Sequence, residues 1–168
     1  MKNQYFSLFQ LPAQFELDSA LLNERYRALA AQCHPDKFAA HSAFEQKQAM
    51  MMATTINEAY RTLQDPIQRA AYLLQAQDID ADAPEHTQFA PEFLMQQMEW
   101  REALADARAE HNEQALQQLA NEISQEQQDL LHQLQQAFGD QQYETAAQLV
   151  RQGRFLAKLQ QEIQAALP

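Results

Sequence analysis

Apolar positions recur at helical spacing along almost the whole chain. Tyr5, Phe6, Leu8 and Phe9 open a short apolar segment that Pro12 ends. So short a helix is not stable alone in water and must dock on something. Asp18 reads as an N-cap, with Leu17 and Leu22 placed as a hydrophobic staple. Leu22, Tyr26, Leu29 and Cys33 then form one stripe of an amphipathic helix, with Arg25 and Arg27 off the stripe and expected to face solvent. Proline has no amide hydrogen and disfavours helix in the residue before it, so Pro35 ends this helix near Cys33 or His34. Ser42-Ala43-Phe44-Glu45 matches a capping box and starts a third helix at about Ala43. Its inward positions are expected at Ala49, Met52, Ile56, Ala59/Tyr60 and Leu63. Asp65-Pro66 closes it or begins a new turn with Asp65 as N-cap, and Gln68 to Gln75 is again helical.

Residues 77–91 interrupt the pattern: acidic residues alternate with small ones and two prolines bracket the end, as in a linker or hinge. Three long helical stretches follow, at about 92–110, 113–138 and 141–166. Gly139 is placed as the C′ residue of the second, and Asp140 as the next N-cap. The expected architecture is all-α. A helical hairpin with short helices occupies 1–75, an acidic linker 76–90, and an antiparallel three-helix bundle 91–168.

Composition agrees. Only two glycines occur, and short Val/Ile/Thr-rich runs between turn signals are missing. A net charge of −11 argues against nucleic acid or an anionic membrane as partner. Residues 1–75 hold seven Lys/Arg and seven Asp/Glu, whereas 76–168 hold five against sixteen, so the whole surplus sits in the second part. A neutral half and an acidic half suggest two modules with different tasks. Cys33 is the only cysteine, which excludes an internal disulfide, and its place on the apolar stripe suggests a small buried hydrophobe. No apolar stretch is long enough to span a bilayer, and MKNQYFSLFQL lacks a signal-peptide core, so a cytoplasmic monomer is expected.

Candidate chemistry gathers at two places. The first is His34-Pro35-Asp36, in the joint between two helices. His34 and Asp36 could act as base and orienter, but no nucleophile or phosphate-cradling Gly-rich loop accompanies them. With His41 they could hold a metal, yet the spacing matches no familiar site. His86, His111 and His132 are scattered, as surface histidines are. This argues against an enzyme, and calls for no cofactor or metal. A stiff recognition tip is the functional reading; a plain polar turn is the simpler one. The second place is Phe93–Leu104 (FLMQQMEWREAL). At 100° per residue Phe93, Trp100, Leu104 and Ala107 share one face, whereas Met95, Met98, Glu99, Glu102 and Asp106 lie nearly opposite with Leu94 on their flank. One buried face suffices for a bundle helix, so the second face is an exposed, adaptable apolar patch with an acidic rim. Phe155 reads equally well as part of this surface or as the edge of the bundle core.

Tyr26-Arg27-x-Leu29-Ala30, His34-Pro35-Asp36-Lys37 and Ile56-Asn57-Glu58-Ala59-Tyr60-x-x-Leu63-x-Asp65-Pro66-x-x-Arg69-Ala70-x-Tyr72 together resemble the J domain of DnaJ-type co-chaperones over roughly residues 4–75. The resemblance implies docking on a DnaK-class chaperone and acceleration of its ATP hydrolysis. The contact residues would be His34, Pro35, Asp36 and Lys37, with Arg25 and Arg27 from the preceding helix. That helix carries fewer basic residues than is common, as Gln32 and Cys33 show, so the resemblance implies weaker attraction to a general chaperone, or a dedicated one. No Gly/Phe-rich linker or cysteine-rich module follows. With the acidic linker and the FLMQQMEWREAL helix, the chain resembles the HscB family of iron–sulfur cluster co-chaperones. That resemblance implies an HscA-type chaperone as one partner and an IscU-type scaffold as the other, the latter held by Leu94, Met95, Met98, Glu99, Glu102, Asp106 and Phe155. A J protein recruiting a different or unfolded client is the alternative.

Overall fold

The computed structural model describes residues 2–83 and 89–168. It divides into two compact units, Met1–Asp78 and Ile79–Pro168.

In the first unit, α1 (Gln4–Leu8) presents buried Phe6 to the core. Helix α2 (Ser19–Gln32) starts on Asp18, whose carboxylate accepts from the Leu21 amide at 3.1 Å. A 3-10 turn (Pro35–Phe38) separates it from α3 (Ala43–Gln64). Ser42 caps α3 by accepting from the Glu45 amide, while the Glu45 carboxylate pairs with His41 Nδ1 at 2.6 Å. Asp65 caps α4 (Pro66–Gln75) with Pro66 at its first position, the second of the two readings of that dipeptide. The core is Phe6, Phe9, Leu11, Phe15, Leu22, Ile56, Leu63 and Leu74. Met52 does not join it. The buried stripe of α3 runs from Ala49 to Ile56 through half-buried Ala53, one position further on, and leaves Met52 44% exposed.

Arg69 organises this core from inside. It is 7% exposed, its Nε donates to the Phe15 carbonyl at 2.8 Å, and its Nη1 donates to the Leu63 carbonyl at 2.5 Å. Leu63 lies in the last turn of α3, where carbonyls have no partner within their own helix. The guanidinium also lies over the Phe15 ring, 5.2 Å from its centre.

The second unit holds α5 (Pro91–Ala109), α6 (Glu113–Gly139) and α7 (Tyr143–Ala166). Trp100, Leu104 and Ala107 of α5 pack with Leu116, Leu119, Ala120 and Ile123 of α6 and Leu156, Leu159 and Ile163 of α7. The start of α6 thus meets the end of α7, which makes the helices antiparallel. Arg101 of α5 pairs with Glu162, and Arg108 donates to the Glu162 carbonyl at 3.2 Å. Helix α5 is shorter than α6, with 19 residues against 27, and its three buried residues all meet this one cluster.

Two details differ from the sequence reading. Gly139 is the last residue of α6 rather than a left-handed C′ residue; that conformation falls on Gln141, at φ 57°. The amides of Gln142 and Gln141 return to the carbonyls of Ala137 and Phe138, a Schellman closure, so Asp140 ends α6 rather than capping α7. The acidic stretch 76–90 is also not all linker. Ala81 and Ala83 are buried, and Arg154 of α7 grips Asp82 through two hydrogen bonds of 2.6 and 2.8 Å. His86, within that stretch, lies outside the described residues.

Candidate docking surfaces

On the first unit, α2 closes when the Cys33 amide bonds to the Leu29 carbonyl, and His34 turns to extended backbone at ψ 133°. That is the conformation proline demands of its predecessor. Pro35 then starts the 3-10 turn, closed by the Lys37 amide on the His34 carbonyl at 3.0 Å. His34 Nδ1 accepts from the Asp36 amide at 3.2 Å, so the neutral ring carries its proton on Nε2. The Asp36 side chain is 91% exposed and Pro35 and Lys37 also stand in solvent. The turn therefore offers an exposed carboxylate on a proline-stiffened backbone, able to accept a forked cation, beside an imidazole that accepts from the Asp36 amide.

The basic residues of α2 divide. Arg27 is exposed as expected. Arg25 is half-buried, and its Nη1 donates to the carbonyls of Phe9, at 2.9 Å, and Gln10. Those carbonyls belong to the turn that ends α1, where Gln10 sits at φ 55°, so Arg25 ties α1 to α2 instead of facing solvent freely. Cys33 is likewise half-buried rather than enclosed. It lines a groove of about 850 Å³ with Phe38, Phe44, Ala49, Met51 and Met52. Helical spacing alone gave no warning of it; three consecutive methionines, Met50 to Met52, were the signal, because no single helix face can bury all three. His34 faces Asp36 and His41 faces Glu45 in separate pairs, and no group of three or more His, Cys, Asp or Glu suited to a metal occurs among the described residues.

On the second unit, the two faces of α5 separate as the helical wheel predicts. Trp100, Leu104 and Ala107 are buried, and Trp100 Nε1 donates to Glu122 of α6 at 3.1 Å. Opposite them Leu94 is 44%, Met95 63% and Met98 72% exposed. Glu99, Glu102 and Asp106 are exposed on the same side. Phe155 is different. Its ring is half-buried against Phe93 (5.8 Å, edge-on) and Trp100 (6.3 Å, stacked), with the Arg101 guanidinium over it at 5.3 Å. It is a rim of the core before it is anything else.

The DnaJ domain matches residues 4–72, and the HSCB C-terminal oligomerisation domain matches residues 89–164. The co-chaperone protein HscB homolog of Neisseria meningitidis is 62% identical over 165 residues, covering 98% of this chain and 99% of that one. The chain belongs to the HscB co-chaperone family. A Burkholderia vietnamiensis HscB homolog is 44% identical over 167 residues, covering 99% of this chain and 95% of its own. Among solved structures, chaperone HscB from Vibrio cholerae superposes with a TM-score of 0.85 at 40% identity, covering 98% of this chain and 96% of that chain. The human co-chaperone HscB superposes with a TM-score of 0.89 at 30% identity, covering 96% and 80%. The J domain followed by a helical C-terminal domain is therefore the HscB arrangement. No helix among the described residues is long and apolar enough to cross a membrane.

Proposed function

We propose that this HscB-family co-chaperone serves iron–sulfur cluster assembly in the cytoplasm as a non-enzymatic adaptor. Its J domain stimulates ATP hydrolysis by an HscA-type chaperone, and its second unit delivers an IscU-type scaffold. The observation that carries the reading is the exposed trio Leu94, Met95 and Met98 beside Glu99, Glu102 and Asp106. A bundle helix with a complete buried face has no structural use for a second apolar face, and the acids beside it suit a partner with a basic rim. Phe155 extends the surface at its edge. On the first unit His34, Pro35, Asp36 and Lys37 make the chaperone contact, with Arg27 adding charge and Arg25 acting mainly by fixing α1. Holding both partners on one chain raises the effective concentration of scaffold at the chaperone. The test is steady-state ATP hydrolysis by the chaperone with scaffold and this protein added separately and together. Stimulation greater with both than the sum of each alone is expected; additive rates defeat the adaptor.

A second reading has its own support, because the matching C-terminal domain is described as an oligomerisation domain. The same apolar face could then join two copies. Sedimentation at rising protein concentration separates the two, and a monomer is expected.

A further inference from the structure

The five methionines among the described residues all stand on the surface: Met50 and Met51 are 61% exposed, Met52 44%, Met95 63% and Met98 72%. Methionine is ordinarily a core residue. Here leucine, isoleucine, valine, phenylalanine, alanine and tryptophan fill the cores, and no described methionine is among the buried residues. An exposed thioether is an apolar group that a two-electron oxidant turns reversibly into a polar one. Met95 and Met98 lie three residues apart on α5, so their side chains are neighbours on one helix face.

We propose that Met95 and Met98 form a reversible oxidation site for an uncharged hydroperoxide, and that oxidation releases the partner held by this face; the proposal rests on the docking reading given above. The thioether sulfur attacks one oxygen of the peroxide. An S–O bond forms and the O–O bond breaks, the sulfur is oxidised by two electrons, and the departing hydroxide takes the second peroxide proton and leaves as water. Exposure sets the access that the attack requires. Glu99, Glu102 and Asp106 stand on the same face, so an anionic oxidant is repelled while neutral hydrogen peroxide is not. The product carries a sulfoxide dipole where an apolar contact is needed. Burying that oxygen without a donor opposes docking, whereas the free protein keeps it hydrated. The fold itself is spared, because Trp100, Leu104 and Ala107 occupy the opposite side of the helix and neither Met95 nor Met98 is among the residues packed on their cluster.

The test treats the full chain with hydrogen peroxide and maps the added oxygen by peptide mass spectrometry. Its melting curve and its calorimetric affinity for an IscU-type scaffold follow, before and after methionine sulfoxide reductases. Expected are oxygen on Met95 and Met98, an unchanged melting midpoint, affinity lower by about tenfold or more, and recovery on reduction. In a Met95→Leu/Met98→Leu chain, whatever its starting affinity, the ratio of affinities before and after peroxide should be near one. An equal loss in that variant overturns the assignment and points to Met50–Met52. Unchanged affinity of the oxidised native chain overturns the proposal and leaves the docking reading standing. Failure of the untreated chain to bind scaffold removes that reading and the proposal together.

Discussion

Tyr26 of α2 and Tyr60 of α3 stack with ring centres 4.0 Å apart, and each reaches across to an asparagine on the other's helix. The Tyr26 hydroxyl meets Asn57 at 2.8 Å and the Tyr60 hydroxyl meets Asn23 at 2.6 Å. The pair is therefore a reciprocal clasp between the two helices that flank the His34-Pro35-Asp36 turn. Replacing either tyrosine by phenylalanine removes one hydrogen bond and strands one asparagine oxygen, an expected loss of about 1 kcal/mol each. A double-mutant cycle with alanine at both positions should show coupling of roughly 0.5–1.5 kcal/mol from the stack. Urea unfolding followed by circular dichroism measures both; strictly additive losses would mean that the rings do not act together.

Arg69 predicts a larger effect. Removing its guanidinium takes a hydrogen bond from each of the Phe15 and Leu63 carbonyls and opens a space beside the Phe15 ring. Arg69→Ala is expected to destabilise the first unit by roughly 2–4 kcal/mol. Arg69→Lys should recover little of it, since one ammonium cannot span both carbonyls as the planar fork does. Burial lowers the Arg69 pKa. A folded-state pKa below the unfolded one means that burial of the charge weighs against folding at neutral pH. A melting series in which lysine restores most of the stability would refute the role assigned to the fork.

These two cases show what was legible in the sequence and what was not. Helical period, the Asp18, Ser42 and Asp65 caps and the Pro35 break are local signals, and all recur in the structure. The two faces of α5 were legible because one wheel separates Trp100 from Met98. Arg25 and Arg69 were not, because their partners are the carbonyls of Phe9 and Gln10, and of Phe15 and Leu63. A carbonyl is present at every residue, so only folding reveals which ones an arginine reaches. Gly139 misled for a related reason. Glycine favours the left-handed position without being required there, and the chain turns two residues later.

That displaced turn makes a prediction of its own. Gln141 at φ 57° and His111 at φ 50° each hold a left-handed C′ position, and the amides after them close Schellman bonds to Ala137 and Ala107. Residues with a Cβ are strained there and glycine is not. Gln141→Gly and His111→Gly should each raise stability by about 0.5–1 kcal/mol, less than the full strain because glycine also gains freedom in the unfolded chain. Thermal melting reads the change; a lower midpoint in both variants would contradict the assignment.

Glu126 of α6 gives a pH test. Glu126 stands at the surface, yet the protein around its carboxylate displaces enough water to lift its pKa above the ordinary carboxylate value, and Asp129 and Glu122 add to the shift. Because the folded pKa is the higher one, the ionised group opposes folding above it. The opposition fades as pH falls through the folded pKa and is gone below the unfolded value of about 4.3. Glu126→Gln should therefore be more stable than the native chain at pH 7 and indistinguishable from it at acid pH. Denaturation curves across that range check the sign, and an advantage that grows toward acid would reverse it.

The docking surfaces separate through His34, Met98 and Phe155. His34→Gln keeps a side chain of similar length but loses the imidazole that accepts from the Asp36 amide. It should abolish stimulation of the chaperone's ATP hydrolysis and leave scaffold binding intact. Met98→Ala truncates a side chain that is 72% exposed, so its effect should appear in scaffold affinity, at about 1–2 kcal/mol, with no change in melting. Phe155→Ala should lower both, since the ring packs on Phe93 and Trp100 before any partner arrives. Calorimetry paired with melting curves tells the two apart. If Phe155→Ala left stability untouched, Phe155 would be a docking residue alone; if Met98→Ala left affinity untouched, the outward face of α5 would lose its partner.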